Sequence, residues 1–557
     1  MTKRIRLTID GRDVTARSGM DLIAAAELAG IHIPNLCRVQ GMKGIGACRL
    51  CLVEIKGLKS PVTACTTKVK EGMVIHTQTE TVRRIRKNVL DLILSMHPAD
   101  CMTCTKAGVC DLQKYAYDFE IKDSSFSRKR FGYSIDEANP FIKRDPDYCI
   151  LCGRCVRICK EQGTSVLDFH GRGIGARVMT AADRPLQASG CTFCGSCVDA
   201  CPVNALVETA RWRKGREWEF SRLPSVCLSC GNACSTTVSV RDGEVVKVNA
   251  DRDKNGAQHY ICAYGRFGFE WTSAGTRLQE PMKRVDGDLI PIGWDDAFKT
   301  MAEAFLSPHE VGCVTTGNLL NEDILTMTDF ARAAGITNIS STVSLYADAA
   351  SLLGEEVDIE QADLLLLVGL APSQWDRVFP ALDAAVRRKV ARGMTLLVIN
   401  AEEVKISEAA TLTLAGDEAT ALAGITRTLM AQGFRAPEGL ATGEPKVTDE
   451  IVKASEVYGR AKQPVIVSSP PFYEACRNIA MMKGRAVSVP VEANAKGTLL
   501  MGLDGKNGNY GTLATGQTRV LWVTGEVPLR RPAGVGFLIV AHSHLNALAM
   551  GADLVLP

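Results

Sequence analysis

Apolar positions at the start of the chain alternate with polar ones. Ile5, Leu7 and Ile9 are followed by Asp10-Gly11, after which Val14 and Ala16 resume the period. Alternation around an Asp-Gly pair predicts a β-hairpin, because these residues tolerate the positive φ angles of a two-residue turn. A short helix is predicted over about Met20 to Ala29, ended by Gly30. From Thr81 the spacing lengthens. Val82, Ile85, Val89, Leu92, Ile93 and Met96 recur at helical intervals, with Arg83, Arg84, Arg86 and Lys87 on other faces. That helix should stop just before Pro98, which disfavours helical backbone in the residue ahead of it.

Between residues 139 and 210 periodic segments are short and cysteines are dense, so bound metal clusters are expected to stand in for a hydrophobic core. Beyond about residue 275 the pattern changes to strand-like runs at Val311 to Thr315, Leu364 to Val368, Leu396 to Ile399, Val465 to Val467, Val520 to Val523 and Phe537 to Val540, separated by helical stretches. That alternation predicts an α/β body with a mainly parallel sheet. The longest apolar runs, such as Leu364 to Leu370, fall far short of the roughly 20 residues that span a bilayer. Membrane association is expected only through a partner.

At 557 residues the chain is long enough for several domains. Lys and Arg number 65 against 62 Asp and Glu, which gives no electrostatic reason to invoke nucleic acid or an anionic membrane. Basic residues at the start run into the strand pattern and not into the apolar block of a signal peptide, so a cytoplasmic location is expected. The 21 cysteines change the picture most, because in a reducing compartment they point to metal and not to disulfides. All but Cys313 and Cys476 lie before residue 263, and those two are read as buried hydrophobes.

The cysteines form five sets. Cys37, Cys48, Cys51 and Cys65 have the layout of a [2Fe–2S] ferredoxin, with Gly41, Gly44 and Gly46 letting backbone approach the sulfurs closely; four-thiolate zinc is the alternative. His97, Cys101, Cys104 and Cys110 suit zinc or a [4Fe–4S] cluster equally when taken alone, and their place between iron–sulfur motifs favours the cluster. Cys149, Cys152, Cys155, Cys159 and then Cys191, Cys194, Cys197, Cys201-Pro202 repeat the two-cluster bacterial ferredoxin pattern, in which the fourth cysteine of each run ligates the other cluster. The expected ligand sets are Cys149, Cys152, Cys155, Cys201 and Cys191, Cys194, Cys197, Cys159. Gly171, Gly173 and Gly175 between the runs lack the strand–helix context of a dinucleotide fingerprint and are read as a turn. The fifth set is Cys227, Cys230, Cys234 and Cys262, with a zinc ribbon as competitor.

With His97 and nineteen cysteines in register, residues 1 to about 275 resemble the large iron–sulfur subunit of complex I and, more closely, the relay subunit of electron-bifurcating hydrogenases and NAD-linked formate dehydrogenases. Two complete ferredoxin sets favour the latter group, as do Arg172-Gly173 and Cys191-Thr192-Phe193-Cys194. Residues 276 to 557 resemble a molybdopterin oxidoreductase body. The likeness is carried by Ile292-Gly293-Trp294-Asp295-Asp296-Ala297, Asn321-Glu322, Phe330-Ala331-Arg332, Asp358 to Asp363, Glu492-Ala493-Asn494 and Ala552 to Pro557. Where that family places a Cys or selenocysteine metal ligand, around Ser341 to Ala350, no sulfur ligand stands, and family members continue into a further pterin-contacting domain. Both departures argue against molybdenum chemistry.

The resemblance implies a multidomain α+β and α/β chain. Its expected parts are a β-grasp [2Fe–2S] domain (1–78), a His/Cys [4Fe–4S] domain (79–120), a 2[4Fe–4S] ferredoxin domain (139–210), a four-cysteine [4Fe–4S] module (220–275) and an α/β body (276–557). One [2Fe–2S] and four [4Fe–4S] clusters are expected, without molybdopterin and without a substrate site on this chain. The implied role is electron relay in an NAD(H)-linked oxidoreductase, foremost an electron-bifurcating hydrogenase. Implied partners are a flavin subunit carrying FMN and NAD, a small [2Fe–2S] subunit, hydrogenase or formate dehydrogenase catalytic subunits, and ferredoxin. A formate dehydrogenase subunit or the complex I subunit feeding quinone are the alternatives.

Overall fold

The structure, a computed structural model, describes residues 3–127, 129–251, 261–347, 349–352, 359–372, 379–440, 443–504, 510–514 and 518–557. Its chain divides into two compact units. One comprises Met1–Ser225 with Ser235–Gly268, the other Val226–Cys234 with Phe269–Pro557.

In the first unit the expected hairpin forms from β1 (Arg4–Ile9) and β2 (Arg12–Arg17), with Asp10 and Gly11 at φ 47° and 79°. Helix α1 (Leu22–Leu28) begins at Asp21, whose carboxylate accepts the Ala24 N–H at 2.8 Å. Strands β3 (Leu52–Ile55), β4 (Val62–Thr63) and β5 (Val74–His76) complete a mixed sheet in the order β2-β1-β5-β3-β4. Leu22, Ile23 and Ala26 of α1 share one core with Ile5, Leu7, Ile9 and Cys51.

Helix α2 (Glu80–Ser95), capped by Thr79, ends before Pro98 as expected, but its buried stripe is rotated from the sequence reading. Arg86 is fully buried while Leu92 is half exposed. The reason lies across the fold: the Arg86 guanidinium donates to the Leu52 carbonyl of β3 at 2.6 Å, and burial draws its pKa down to about 10.

Short elements follow: α3 (Asp111–Asp118), β6 (Ile142–Arg144), α4 (Arg154–Glu161), β7 (Asp168–His170), β8 (Arg177–Met179), α5 (Ser196–Ala200) and β9 (Leu206–Glu208). β6 pairs with β9 and β7 with β8, the latter across the glycine turn. The expectation that clusters replace a core here is corrected. Leu36, Leu50, Leu90, Leu112, Val156 and Leu206 form one buried apolar cluster with Cys37, Cys48, Cys152, Cys155 and Cys201 set among them. Segments remote in sequence supply the apolar surface that this stretch lacks. The unit closes with β10 (Ser221–Val226), β11 (Ser235–Arg241), β12 (Glu244–Ala250) and α6 (Ala263–Phe267).

The second unit holds two sheets where one mainly parallel sheet was expected. Its strands are β13 (Met282–Val285), β14 (Asp288–Pro291), β15 (Val311–Thr315), β16 (Asn338–Ser341), β17 (Leu364–Val368), β18 (Thr395–Asn400), β19 (Leu412–Ala415), β20 (Pro464–Ser468), β21 (Arg485–Ser488), β22 (Val520–Thr524), β23 (Phe537–Ala541) and β24 (Leu554–Leu556). The sheet β19-β18-β17-β20-β21 is parallel throughout; β14-β13-β24-β23-β22-β15-β16 is antiparallel only at β13. Each predicted run is one of these strands. β15, β17 and β20 are buried at every position, as strands covered on both faces must be. Cys313 and Cys476 are fully buried, in agreement with their reading as core residues.

Candidate iron–sulfur sites

The first set is buried beneath the sheet that precedes it. Cys37, Cys48, Cys51 and Cys65 are each at most 9% exposed. Their thiols form a chain of hydrogen bonds, Cys48 to Cys37, Cys37 to Cys65 and Cys65 to Cys51. The Leu36 N–H points at the Cys48 sulfur at 3.4 Å, and backbone N–H groups of Leu50 and Gly46 point at Cys48 and Cys65. Gly44 is required where it stands: a Cβ there would lie 2.0 Å from the Cys65 carbonyl oxygen. The Cys37 thiol, then burial, push the Cys48 thiol far up. At Cys65 the Cys37 contact pulls down, but Cys51 and burial prevail and take it to about 11. Cys51 is held low by the hydrogen bond from Cys65.

His97, Cys101, Cys104 and Cys110 all line one cavity of about 520 Å³, between the end of α2 and the start of α3. Cys110 is the residue from which α3 begins, and the His97 ring meets Tyr148 edge-on at 5.6 Å. The Tyr148 hydroxyl donates to Asp100. Cys101 is exposed, whereas burial raises Cys104 and takes Cys110 up to about 11.

The two ferredoxin runs fold alike. In each, the residue before the second cysteine and the glycine after it have positive φ: Leu151 at 55° and Gly153 at 70°, Phe193 at 51° and Gly195 at 67°. That twist is uncommon for Leu and Phe. It turns the Leu151 and Phe193 N–H groups onto the Cys149 and Cys191 sulfurs, both at 3.4 Å. Cys149, Cys152, Cys155 and Cys201 line one cavity; Cys191, Cys194, Cys197 and Cys159 line another. The fourth cysteine of each run therefore faces the other run's cavity. Burial takes Cys149 to about 11 and Cys152 and Cys191 to about 12, and raises Cys155 and Cys197 further.

Of the fifth set, Cys227, Cys230 and Cys234 belong to the second unit and Cys262 to the first. Within the second unit the Cys227 N–H donates to the Cys234 carbonyl at 2.9 Å, and Gly231 donates to the Val491 carbonyl at 2.8 Å. A Cβ on Gly231 would lie 2.0 Å from the Pro490 carbonyl oxygen.

Among the described residues no three His, Cys, Asp or Glu side chains are arranged to hold a single metal ion. Three of the sets instead ring cavities with N–H groups aimed at sulfur, and their thiols, protonated by burial, gain charge-compensating iron on losing the proton. The residues present fit iron–sulfur clusters. When bound, such clusters supply one-electron storage, and the side chains hold, insulate and polarise them.

In the stretch 341–350, the Thr342 hydroxyl donates to Glu492 at 2.5 Å and the Tyr346 hydroxyl at 2.8 Å, while Ser341 donates to the Leu503 carbonyl at 2.9 Å. Glu492 also accepts the Thr316 hydroxyl at 2.6 Å and the Gly317 N–H at 2.8 Å. Asp348 and Asp358, within two of the sequence features singled out above, lie outside the described residues.

Sequence reasoning missed three arginines. Arg157, on α4 between Cys155 and Cys159, donates to the carbonyls of Cys37 at 3.1 Å and Lys43 at 2.5 Å. Arg216 donates to those of Cys104 at 2.8 Å and Met102 at 3.0 Å. Arg266, one turn beyond Cys262 and fully buried, donates through Nε to the Cys194 carbonyl at 2.8 Å and grips Asp199 with two bonds of 2.8 Å. Only the four-residue interval from Cys262 to Arg266 and the place of Arg157 between two cysteines could have signalled them.

Comparison with known proteins agrees with this arrangement. Residues 2–80 match a 2Fe-2S iron-sulfur cluster binding domain, 86–125 the NADH-ubiquinone oxidoreductase-G iron-sulfur binding region and 148–205 a 4Fe-4S dicluster domain. Residues 220–273 match the molybdopterin oxidoreductase Fe4S4 domain and 277–444 molybdopterin oxidoreductase. The chain is thus a multidomain iron–sulfur protein of the oxidoreductase class, with 2Fe–2S and 4Fe–4S domains ahead of a molybdopterin-oxidoreductase-like body. More narrowly, it belongs to the NADH-quinone oxidoreductase G-like family of iron–sulfur subunits.

NADPH-Fe(3+) oxidoreductase subunit alpha of Geobacter sulfurreducens is 35% identical over 64% of this chain and 42% of its own length. NADH-quinone oxidoreductase subunit 3 of Thermus thermophilus is 27% identical over 99% of this chain and 77% of its own. A solved chain from an NAD+-reducing [NiFe]-hydrogenase is 31% identical over 37% of this chain and 88% of its own, with a TM-score of 0.35. The chain spans less than half the length of the Geobacter relative. Among the described residues no helix is long and apolar enough to cross a membrane.

Proposed function

We propose that this chain carries one [2Fe–2S] and four [4Fe–4S] clusters on the five ligand sets, and works as the electron-relay subunit of a cytoplasmic NAD(H)-linked oxidoreductase. The observation that carries the reading is the pair of cavities in the ferredoxin region, each lined by three cysteines of one run and the fourth of the other. A protein that encloses one-electron centres side by side stores and passes single electrons. Conversion of substrates is assigned to partners: a flavin subunit that binds FMN and NAD, a small [2Fe–2S] subunit, a hydrogenase catalytic subunit, and ferredoxin. Two complete ferredoxin sets favour an electron-bifurcating hydrogenase; a formate dehydrogenase or a quinone-reducing complex is the second reading, supported by the family to which the chain belongs. The back half serves as a platform without molybdenum, its stretch 341–350 having hydroxyls bonded to Glu492 and no sulfur ligand.

Anaerobic purification with metal and sulfide analysis tests the cluster content, for which five clusters require about 18 iron atoms per chain. About ten iron with two zinc would mean that two sets are misassigned. The purified single chain should accept electrons from a strong reductant yet turn over neither NADH, hydrogen nor formate. Turnover at rates typical of enzymes, on the order of 1 to 1,000 per second, would show that the relay reading has missed a catalytic centre.

A further inference from the structure

Arg157, Arg216 and Arg266 repeat one contact. Each guanidinium leaves one cysteine-bearing segment, or the segment just after it, and donates to the main-chain carbonyl of a cysteine in a different set: Cys37, Cys104 and Cys194 respectively. Two further details show that these are built contacts. Gly195 is the only residue that fits, since a Cβ there would lie 2.2 Å from the Arg266 side chain. Asp199, which neutralises Arg266, also sits on α5 immediately before Cys201.

Arg157 is the most informative of the three. Its helix carries Cys155, which lines one ferredoxin cavity, and Cys159, which lines the other, while its two Nη atoms hold both ends of the loop from Cys37 to Lys43. Among the described residues no carboxylate is paired with it in hydrogen-bond or ion-pair contact, so the positive charge between these sets is not locally cancelled. The thiolates of Cys37, Cys65 and Cys152 are the anions that act on it.

We propose that Arg157 is a positioning residue for electron transfer: its fork fixes the [2Fe–2S] loop against the ferredoxin helix, and its charge stabilises the extra electron on the [2Fe–2S] cluster. This rests on the cluster reading above. Reduction adds one electron and makes or breaks no bond, so a fixed cation beside the ligand segment favours the reduced form. A guanidinium can do both tasks at once, because its planar fork meets two carbonyls while remaining charged; a lysine can keep only the charge.

The test uses the full chain, purified anaerobically with its clusters, as Arg157→Gln and Arg157→Lys beside wild type. Iron and sulfide are measured first, then the [2Fe–2S] signal is followed by electron paramagnetic resonance through a redox titration. Wild type without a [2Fe–2S] signal would overturn the cluster reading itself. Given that signal, Arg157→Gln should keep its iron while the reduced-to-oxidised ratio at the wild-type midpoint falls about tenfold, or about 59 mV for one electron. Arg157→Lys should retain most of the midpoint, and in both variants the spin relaxation of the signal by its neighbour should change, because the fork is gone. An unchanged midpoint in Arg157→Gln overturns the proposal, as does an equal shift in Gln and Lys. Loss of the [2Fe–2S] iron in both variants would assign Arg157 to folding alone and overturn it too.

Discussion

The two units solve the problem of a core in opposite ways. In the second, strands such as β17 and β20 bury every side chain against helices; the core is dry, continuous and made by residues close in sequence to the strands they cover. In the first, elements of three to eight residues bury cysteines among leucines and valines, and long-range polar ties such as Arg86 to Leu52 and Arg266 to Asp199 hold the pieces in register. The lesson is that a fold enclosing clusters spends its interior on geometry, whereas one that encloses none can spend it on apolar contact. Stability should therefore depend on metal in one unit and on side-chain packing in the other.

The strongest way to break this comparison is to remove a shared ligand. Cys159→Ala should deplete the cluster at Cys191, Cys194 and Cys197, costing roughly four of about 18 iron atoms, and open the first unit to limited proteolysis while hydrogen exchange in β17 to β20 stays at the wild-type rate. Damage confined to the cluster at Cys149, Cys152 and Cys155 would reject the crossed arrangement.

The converse change is Ile466→Ala in β20, a fully buried position. It should destabilise the second unit by about 2 to 5 kcal/mol in denaturant unfolding and leave iron content untouched. Iron lost in proportion would show that the units are not independent in stability.

Glu492→Gln sharpens the comparison, because it places a first-unit style of polar tie inside the dry half. Glu492 accepts four hydrogen bonds, from Thr316, Gly317, Thr342 and Tyr346. An amide keeps one good acceptor and adds donors where donors already point, so a loss of about 1 to 3 kcal/mol is expected from unfolding curves.

The smallest effect concerns pH. Burial nudges Asp363 upward, but the Lys462 and Gln463 N–H groups at 2.7 and 2.8 Å outweigh it and hold the carboxyl below its ordinary value of 3.8. A depressed folded-state pKa contributes stability that is complete above the unfolded value and is lost as pH falls through the folded one. Exchange at the start of β20 should therefore quicken below about pH 4, and Asp363→Asn should remove that dependence.

Much of this was legible in the sequence, for reasons that differ between the units. Strand runs such as Leu364 to Val368 declare themselves because a strand covered on both faces is uniformly apolar. Cysteine spacing declares the ferredoxin runs, because ligands to one cluster from one loop must recur at short intervals. What stayed hidden depends on pairs distant along the chain. Arg86 looks like a solvent-facing cation until the Leu52 carbonyl stands opposite it, and Arg157 reads as a spacer between two cysteines until Cys37 does. The division of the second half into two sheets was likewise hidden, since a run of leucines does not say which neighbour it pairs with.

One such distant pair also orders events in time. Gly231 packs against Pro490 and donates to Val491, so the loop holding Cys227, Cys230 and Cys234 finds its seat only after about 260 more residues have left the ribosome. At roughly 5 to 20 residues per second that interval is at least about 13 s, during which the preceding sixteen-ligand stretch is already available to the iron-loading machinery. Nascent chains should thus pass through a stage in which their first four sites are filled and the fifth is still an untethered loop, which makes the last site the natural checkpoint for completed synthesis.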